Sequence, residues 1–415
     1  DKDFRPAIER RRGVIFSEAF LQGETSGSSM QQLAERNLPH PQFLDVEFPE
    51  EWKRKVIKDK QIGTGGFAAV YRGKVACTSA KESFVAVKVV RNSTQVVEEI
   101  QTLSELSGRS DYVASLVSST PVVEKENLAF LMMDYFNNYD LHGLYAKHLI
   151  DETKALTFMY HTALGVSAMH GAGWIHMDLK LENVMTNCRD GSCYAAVVDL
   201  GLACREGSGV NGCSPRGTAG WASPEVLTKP PLVAVPSNDV WSLGIMLYVL
   251  VVGRGPVILY GSSDGEKISL TKRYGPESDV HLTRALADGK NRALIKLIKS
   301  MLRRDPEKRA SLSDVLVTLR EELSRRGQLM DILPSAQGSM YVRPACLYDN
   351  ASTKDDIGDR TAVRSDCIGQ LLPSKSILGL KCGACVFGGC NPCCKCDVMR
   401  HGTATKAYIR SPGCS

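Results

Sequence analysis

The sequence predicts an α+β molecule in three parts: a small β-rich lobe, a larger α-rich lobe and a cysteine-rich tail. Three observations carry this. Between Ile57 and Met133, β-branched residues alternate with the period of two that a half-buried strand requires, interrupted by one helical segment near Gln95 to Leu106. From Asp140 to Arg326, apolar residues recur at helical spacing, as in "TKALTFMYHTALGVSAMHGAG" and "LSDVLVTLREELSRR". After about Leu333 that periodicity ends and Gly, Ser, Pro and Cys take over, with six of the fourteen cysteines falling between Cys382 and Cys396. The expected parts are an extension (1–50), a two-lobed domain (51–135 and 136–328) and the tail (329–415).

The extension is polar, with a basic cluster at Arg10 to Arg12 and a "GETSGSS" stretch, and reads as partly ordered. The whole chain of 415 residues is 43% hydrophobic and 23% charged, an ordinary globular composition. A net charge of +5 is mild for this size and gives no ground for a nucleic-acid partner. The longest apolar run, "VWSLGIMLYVLVVG" from Val240, is too short for a bilayer and reads as a buried core helix.

The β-rich lobe opens with "IGTGGFAAVYRG", where Gly63, Gly65 and Gly66 would let backbone amides approach phosphate oxygens with no Cβ in the way. Alone this is an ordinary Gly-rich hairpin. Next comes "FVAVKVV", with Lys88 in an apolar strand, which is costly unless an anion partners it. The helix that follows offers Glu98, read as a surface carboxylate, and Glu99, read as the partner of Lys88. In "WIHMDLKLENVM", Asp178 and Lys180 lie two apart, so in an extended segment they point the same way. Asp178 is placed to accept a hydroxyl proton, and Lys180 to steady a phosphoryl group. Asn183, and Asp199 at the end of the apolar "AAVVDLGLA" stretch, are hard oxygen ligands of the kind Mg²⁺ takes together with substrate phosphates.

In order and spacing this set resembles the eukaryotic protein kinase superfamily, over roughly Ile57 to Arg326. The resemblance implies a bilobal kinase fold and a transfer from Mg-ATP, with Mn²⁺ as an alternative ion, to Ser or Thr hydroxyls of protein substrates. It assigns Gly63, Gly65 and Gly66 to the phosphate-covering loop, Lys88 to the α- and β-phosphates, Glu99 to its helix partner, Asp178 to the catalytic base and Asn183 and Asp199 to the metal. It lines the nucleotide pocket with Ile62, Val70, Ala86, Met133, Asp134, Phe136, Asp140 and Met185. Met133 falls at the gatekeeper, Asp134 to Phe136 at the hinge, and Asp140 near the ribose. Glu225, ending "WASPE", matches the partner of Arg309, and Asp239 matches the aspartate that braces the catalytic loop. Leu103, His176 and Leu200 match a stacked column linking the lobes. "DLKLEN" and Thr218 resemble the Ser/Thr class. The alternative is a silent kinase fold that binds nucleotide and docks partners through the tail; a small-molecule kinase is disfavoured by "GTAGWASPEVL", which in protein kinases is a peptide platform.

Four departures from the family stand out. Ala68 replaces the third loop glycine, Leu200 replaces the usual phenylalanine, and Lys88 and Glu99 are unusually close in sequence. Met177 replaces the arginine that clamps an activation-segment phosphate, which predicts that this chain does not need that phosphate.

Cys188 and Cys193 flank a turn, and Cys204 and Cys213 bracket part of the activation segment; both pairs read equally as disulfides or as free thiols. The tail reads as a disulfide-stapled module, as a Zn²⁺ site of Cys382, Cys385, Cys390 and Cys393, or as a palmitoylated "CCKC" membrane anchor. Cysteine usage and the sequons at Asn92 and Asn350 favour a secretory compartment, with cytoplasmic or membrane-tethered placement as alternatives. In that case the resemblance extends to the rhoptry-like kinases that parasites export.

Overall fold

The alternation in the first lobe becomes five antiparallel strands: β1 (Val56–Thr64), β2 (Ala68–Val75), β3 (Phe84–Arg91), β4 (Val122–Lys125) and β5 (Leu128–Asp134), ordered β1-β2-β3-β5-β4. The structure is a computed structural model. It describes residues 46–328 apart from 65–67, 77–82, 92–93, 119–120, 126, 190–191, 209–216 and 228–232, together with 344–348 and the backbone of 380–381, 395–400 and 403–408. Gly65, Gly66, Cys213, Asn92, Asn350 and the proposed zinc and "CCKC" cysteines before Cys396 lie outside the described residues.

Strand alternation gives the sheet two different faces. Val85, Val87 and Val89 of β3 are buried in one cluster with Phe48, Trp52, Tyr71, Phe130 and Met132. The register sets Val70 opposite Lys88, Lys88 opposite Leu131, and Ala86 opposite Met133, so these side chains share the other face. That face is the one expected to hold nucleotide.

Helix α1 (Thr94–Leu106) starts only two residues after β3. The α-rich lobe then contains α2 (Leu141–Ala146), α3 (Glu152–Gly171), α4 (Pro236–Val252), α5 (Asp264–Arg273), α6 (Val280–Ala287), α7 (Arg292–Met301) and α8 (Leu312–Arg325). Asp151 and Ser311 cap α3 and α8 by accepting from Lys154 N and Asp314 N, which satisfies donors that a helix start leaves open. The apolar run read as a core helix is α4, buried at every residue from Asn238 to Val251. Gly244 lets it close on α7, since a Cβ there would lie 2.9 Å from both Met301 Cβ and Leu302 Cδ2. Short strands β6 (Trp174–Ile175), β7 (Val184–Arg189), β8 (Ser192–Val197) and β9 (Cys204–Arg205) pair as β6-β9 and β7-β8 and frame the catalytic loop.

Two boundaries differ from the sequence reading. Phe48 is already buried, ahead of residue 51, and the segment 344–348 returns beyond residue 328 to place a fully buried Leu347 against Phe48, Trp52 and Val75. Burying that leucine is worth about 2 kcal/mol. A segment this short has no periodicity to reveal it. The remaining tail is a separate unit, in which β10 (Leu380–Lys381), β11 (Lys395–Arg400) and β12 (Thr403–Tyr408) form one antiparallel sheet. Among the described residues no helix is long and apolar enough to cross a membrane, and no cluster of three or more His, Cys, Asp or Glu could hold a metal.

Candidate active site

Lys88 Nζ lies 2.5 Å from Glu99 Oε1 and 2.9 Å from Asp199 Oδ1. Helix α1 carries Glu99 inward, where it is 4% exposed, while Glu98 faces solvent as expected. Burial pulls the Lys88 ammonium down, but Asp199 and Glu99 outweigh it and hold the pKa above its ordinary value. Lys88 in turn pulls the Asp199 carboxyl down to about 2, against the effect of burial. Lys88 and Asp199 therefore stay ionised across the physiological range.

The loop between β6 and β7 closes a ring of polar contacts on Asp178. Lys180 Nζ donates to Asp178 Oδ2 at 2.8 Å and to Thr218 Oγ1 at 2.8 Å, and Thr218 Oγ1 donates to Asp178 Oδ1 at 2.6 Å. Asn183 Nδ2 donates to Asp178 O at 2.8 Å and to Oδ2 at 3.2 Å. Thr218 reaches Asp178 because Gly217 has φ +114, and a Cβ at Gly217 would meet Met177 O at 2.9 Å.

The loop is held from below by Asp239 of α4. Its oxygens accept from His176 N and Met177 N at 2.9 Å each, and from His170 Nε2 at 2.8 Å. Burial would raise the Asp239 carboxyl, but His170 and His176 keep it below its usual value. His176 is fully buried; its Nδ1 accepts from Asp178 N at 3.2 Å, which leaves Nε2 to donate to Val198 O at 3.2 Å. Leu103 and Leu200 are buried in the same core.

Met177 sits at φ +67, a strained conformation for a side-chain-bearing residue. Its thioether is buried in an apolar cluster with Ile175, Cys204, Ala219, Ala222, Val226 and Leu227. The position therefore offers no charge to a phosphate and joins the catalytic loop to the activation segment by packing.

The residues expected around the nucleotide fall on the lobe boundary. Val70, Ala86 and Met133 share the Lys88 face; Gly63 opposes Val70; Ile62, at an irregularity between Gln61 and Gly63, is 42% exposed. The Asp134 carboxylate is turned inward: Oδ2 accepts from Ser115 N at 3.0 Å, its own main-chain N donates to Ser115 O at 3.0 Å, and the residue is 6% exposed. Phe136 is packed in the core beside Leu141. Asp140 bridges Met185 and caps α2, accepting from Gly143 N at 2.5 Å, and burial raises its carboxyl despite that bond.

The oxygens fit Mg²⁺. The amide nitrogen of Asn183 is occupied by Asp178, which leaves its oxygen to ligate, and Asp199 keeps a second carboxylate oxygen beyond the one on Lys88. Two protein ligands suit an ion that relies on substrate phosphates for the rest.

The activation segment ends on a bidentate ion pair. Arg309 Nη1 and Nη2 lie 2.6 and 3.0 Å from the two oxygens of Glu225, and Asn238 Nδ2 donates to the same carboxylate at 2.9 Å. Cys188 and Cys193 pair directly across β7 and β8 and form a disulfide with Cα atoms 4.1 Å apart; Cys204 is also disulfide-bonded.

The protein kinase domain family matches residues 56–318. The chain belongs to that family. Similar proteins include the serine/threonine-protein kinase PLK4 of Nematostella vectensis, 28% identical over 276 residues, which covers 63% of this chain and 26% of that protein. The human hormonally up-regulated neu tumor-associated kinase is 25% identical over 290 residues, covering 67% of this chain and 38% of that one. The maternal embryonic leucine zipper kinase of Xenopus tropicalis is 26% identical over 290 residues, 66% of this chain and 40% of the relative. This kinase chain thus spans well under half the length of each.

Some contacts of the kinase site had no sequence signal. His170 bonding Asp239 and Ser115 bonding Asp134 join residues 69 and 19 positions apart. The sequence marks Thr218 only as a residue of the Ser/Thr class and carries no sign of its direct bond to Asp178.

Proposed function

We propose that this chain is a protein serine/threonine kinase that transfers the γ-phosphoryl group of Mg-ATP to Ser or Thr hydroxyls of proteins. The observation that carries the reading is the Asp178–Lys180–Thr218 ring, faced by the Lys88–Glu99–Asp199 cluster. Thr218 Oγ1, 2.6 Å from Asp178 Oδ1, shows the approach that a hydroxyl can make to that oxygen. In this reading Asp178 orients the substrate hydroxyl and takes its proton, and Lys180 and Lys88 balance phosphate charge. Asn183 and Asp199 hold the metal. Bound Mg-ATP supplies the transferable group and the counter-charge. The similarity to the serine/threonine-protein kinase PLK4 supports the Ser/Thr class. The silent-scaffold alternative has no observation in its favour, since Lys88, Asp178, Asn183 and Asp199 all stand in working relation.

An oxidising compartment is part of the same reading, supported by the Cys188–Cys193 disulfide and by disulfide-bonded Cys204 and Cys346. The test is transfer from labelled Mg-ATP to a mixed protein substrate, beside an Asp199→Ala control and with phosphoamino-acid analysis. Label on Ser and Thr that the control lacks supports the reading; nucleotide binding with no transfer overturns it.

A further inference from the structure

One polar cluster outside the ring described above joins three elements. Arg205 of β9 places Nη2 at 2.6 and 2.5 Å from the two oxygens of Glu105, near the end of α1. Its guanidinium carbon lies 4.1 Å from the centre of the Trp174 ring in β6. Trp174 Nε1 donates to Glu105 Oε2 at 3.0 Å, which closes a triangle, and Gln101 Nε2 donates to Oε1 at 3.1 Å. Arg205 Nη1 also donates to Ala172 O at 3.3 Å.

Each corner stands next to catalytic machinery. Helix α1 carries Glu99. Strand β6 runs directly into His176, Met177 and Asp178. Strand β9 begins five residues after Asp199. The chain has no cation at Met177 to gather the activation segment onto a phosphate, and Met177 itself is enclosed in apolar side chains that include Cys204, the neighbour of Arg205. The guanidinium meets three partners at once, with Nη2 bridging both Glu105 oxygens, Nη1 on Ala172 O and its planar face over the Trp174 ring, a spread of contacts that a single ammonium nitrogen cannot reproduce. A chain lacking a phosphate anchor gains a fixed start to its activation segment from such a grip.

We propose that Arg205 is a positioning residue of the phosphoryl-transfer site, tying the strand after Asp199 to the helix that carries Glu99 through Glu105 and Trp174. The proposal rests on the kinase reading for its consequence in catalysis, but not for the contact itself. Hydrogen bonds from Trp174 and Gln101, with Arg205, hold the Glu105 carboxyl below the usual range, so the anion needed for the grip is present at neutral pH. The competing view is that Arg205 and Glu105, with side chains 45% and 32% exposed, are an ordinary surface pair of little consequence.

The test uses the full chain with Arg205→Ala, Arg205→Lys, Glu105→Arg, Arg205→Glu and the Glu105→Arg/Arg205→Glu swap. Arg205→Ala should lower kcat and raise the KM for Mg-ATP, for a combined loss in kcat/KM of roughly ten- to a hundredfold, with the fold intact by circular dichroism. Arg205→Lys should recover only part of that loss, because it restores the charge without the second nitrogen on Ala172 O and the planar face over Trp174. The swap should recover activity over either single reversal. Amide exchange across residues 200–208, read without any activity, should quicken in Arg205→Ala. Unchanged kcat, KM and exchange in Arg205→Ala would overturn the proposal, as would a swap no better than its singles. A wild-type chain inactive on every substrate would end the kinase reading, and the exchange measurement would still decide whether Arg205 fixes the strand.

Discussion

Removing the Glu225 carboxylate tests whether the ion pair at the end of the activation segment is structural capital or ornament. The Arg309 side chain is 0% exposed, and Glu225→Ala leaves its charge without a counter-ion. Breaking a buried pair from one side costs about 3–5 kcal/mol. Two features place this case at the low end. Arg309 keeps the carbonyls of Ser237, Arg303 and Arg304 as acceptors, and Glu225 is itself 23% exposed and so partly solvated already. The expected cost is therefore about 3 kcal/mol, which for a domain of this size lowers Tm by about 6–12 °C. Calorimetry on wild type, Glu225→Ala and Glu225→Gln measures it. The glutamine variant should fall between the other two, because it keeps one acceptor oxygen for Arg309 and loses the charge and the second acceptor. A Tm for Glu225→Ala within about 2 °C of wild type would refute the reasoning, since the guanidinium would then be no less content without its carboxylate.

Replacing both Cys188 and Cys193 by Ser removes a short cross-strand loop closure and should cost about 2 kcal/mol, read as a lower denaturant midpoint in non-reducing buffer; an unchanged midpoint contradicts it. Treatment with a protein phosphatase should leave transfer activity unchanged, because buried Met177 offers no cation to an activation-segment phosphate; loss of activity on treatment would count against that account. Asp239 supplies a pH signature. Its folded pKa lies below its ordinary value, so its contribution to stability is full above an unfolded value of about 4 and is lost as the pH falls through the folded value. The stability gap between wild type and Asp239→Asn should therefore narrow below about pH 4, and a constant gap across that range would contradict the assignment.

The parts of the site that were legible in the sequence are those whose residue type is forced by local chemistry. A lysine in an apolar strand must find an anion, and the structure gives it Glu99 despite the short spacing, because α1 follows β3 after two residues. Glu225 with Arg309, and Asp239 beneath the catalytic loop, were likewise readable once the motifs were in order. The spacing of Cys188 and Cys193 is compatible with thiols or a disulfide, and their directly paired strand positions give the disulfide. What stayed hidden are contacts made only when distant segments meet. Arg205 and Glu105 are 100 residues apart, and each looks like an ordinary surface charge. Leu347 lies in a segment too short to carry a pattern, and the cluster that buries it is made of residues far from it in sequence, such as Trp52, Val75 and Phe130. The inward turn of the Asp134 carboxylate depends on Ser115, in a stretch with no motif of its own.

The measurement that bears most directly on the proposed chemistry is kcat for Asp178→Asn, made beside nucleotide affinity and Tm on the same preparation. The asparagine keeps the shape, its single amide oxygen can still accept from Lys180 and its NH2 can donate to Thr218 Oγ1, but it cannot take a proton. The account predicts that affinity and Tm hold while kcat falls by roughly 10²–10⁴. Full activity in a folded, nucleotide-binding Asp178→Asn chain would contradict it.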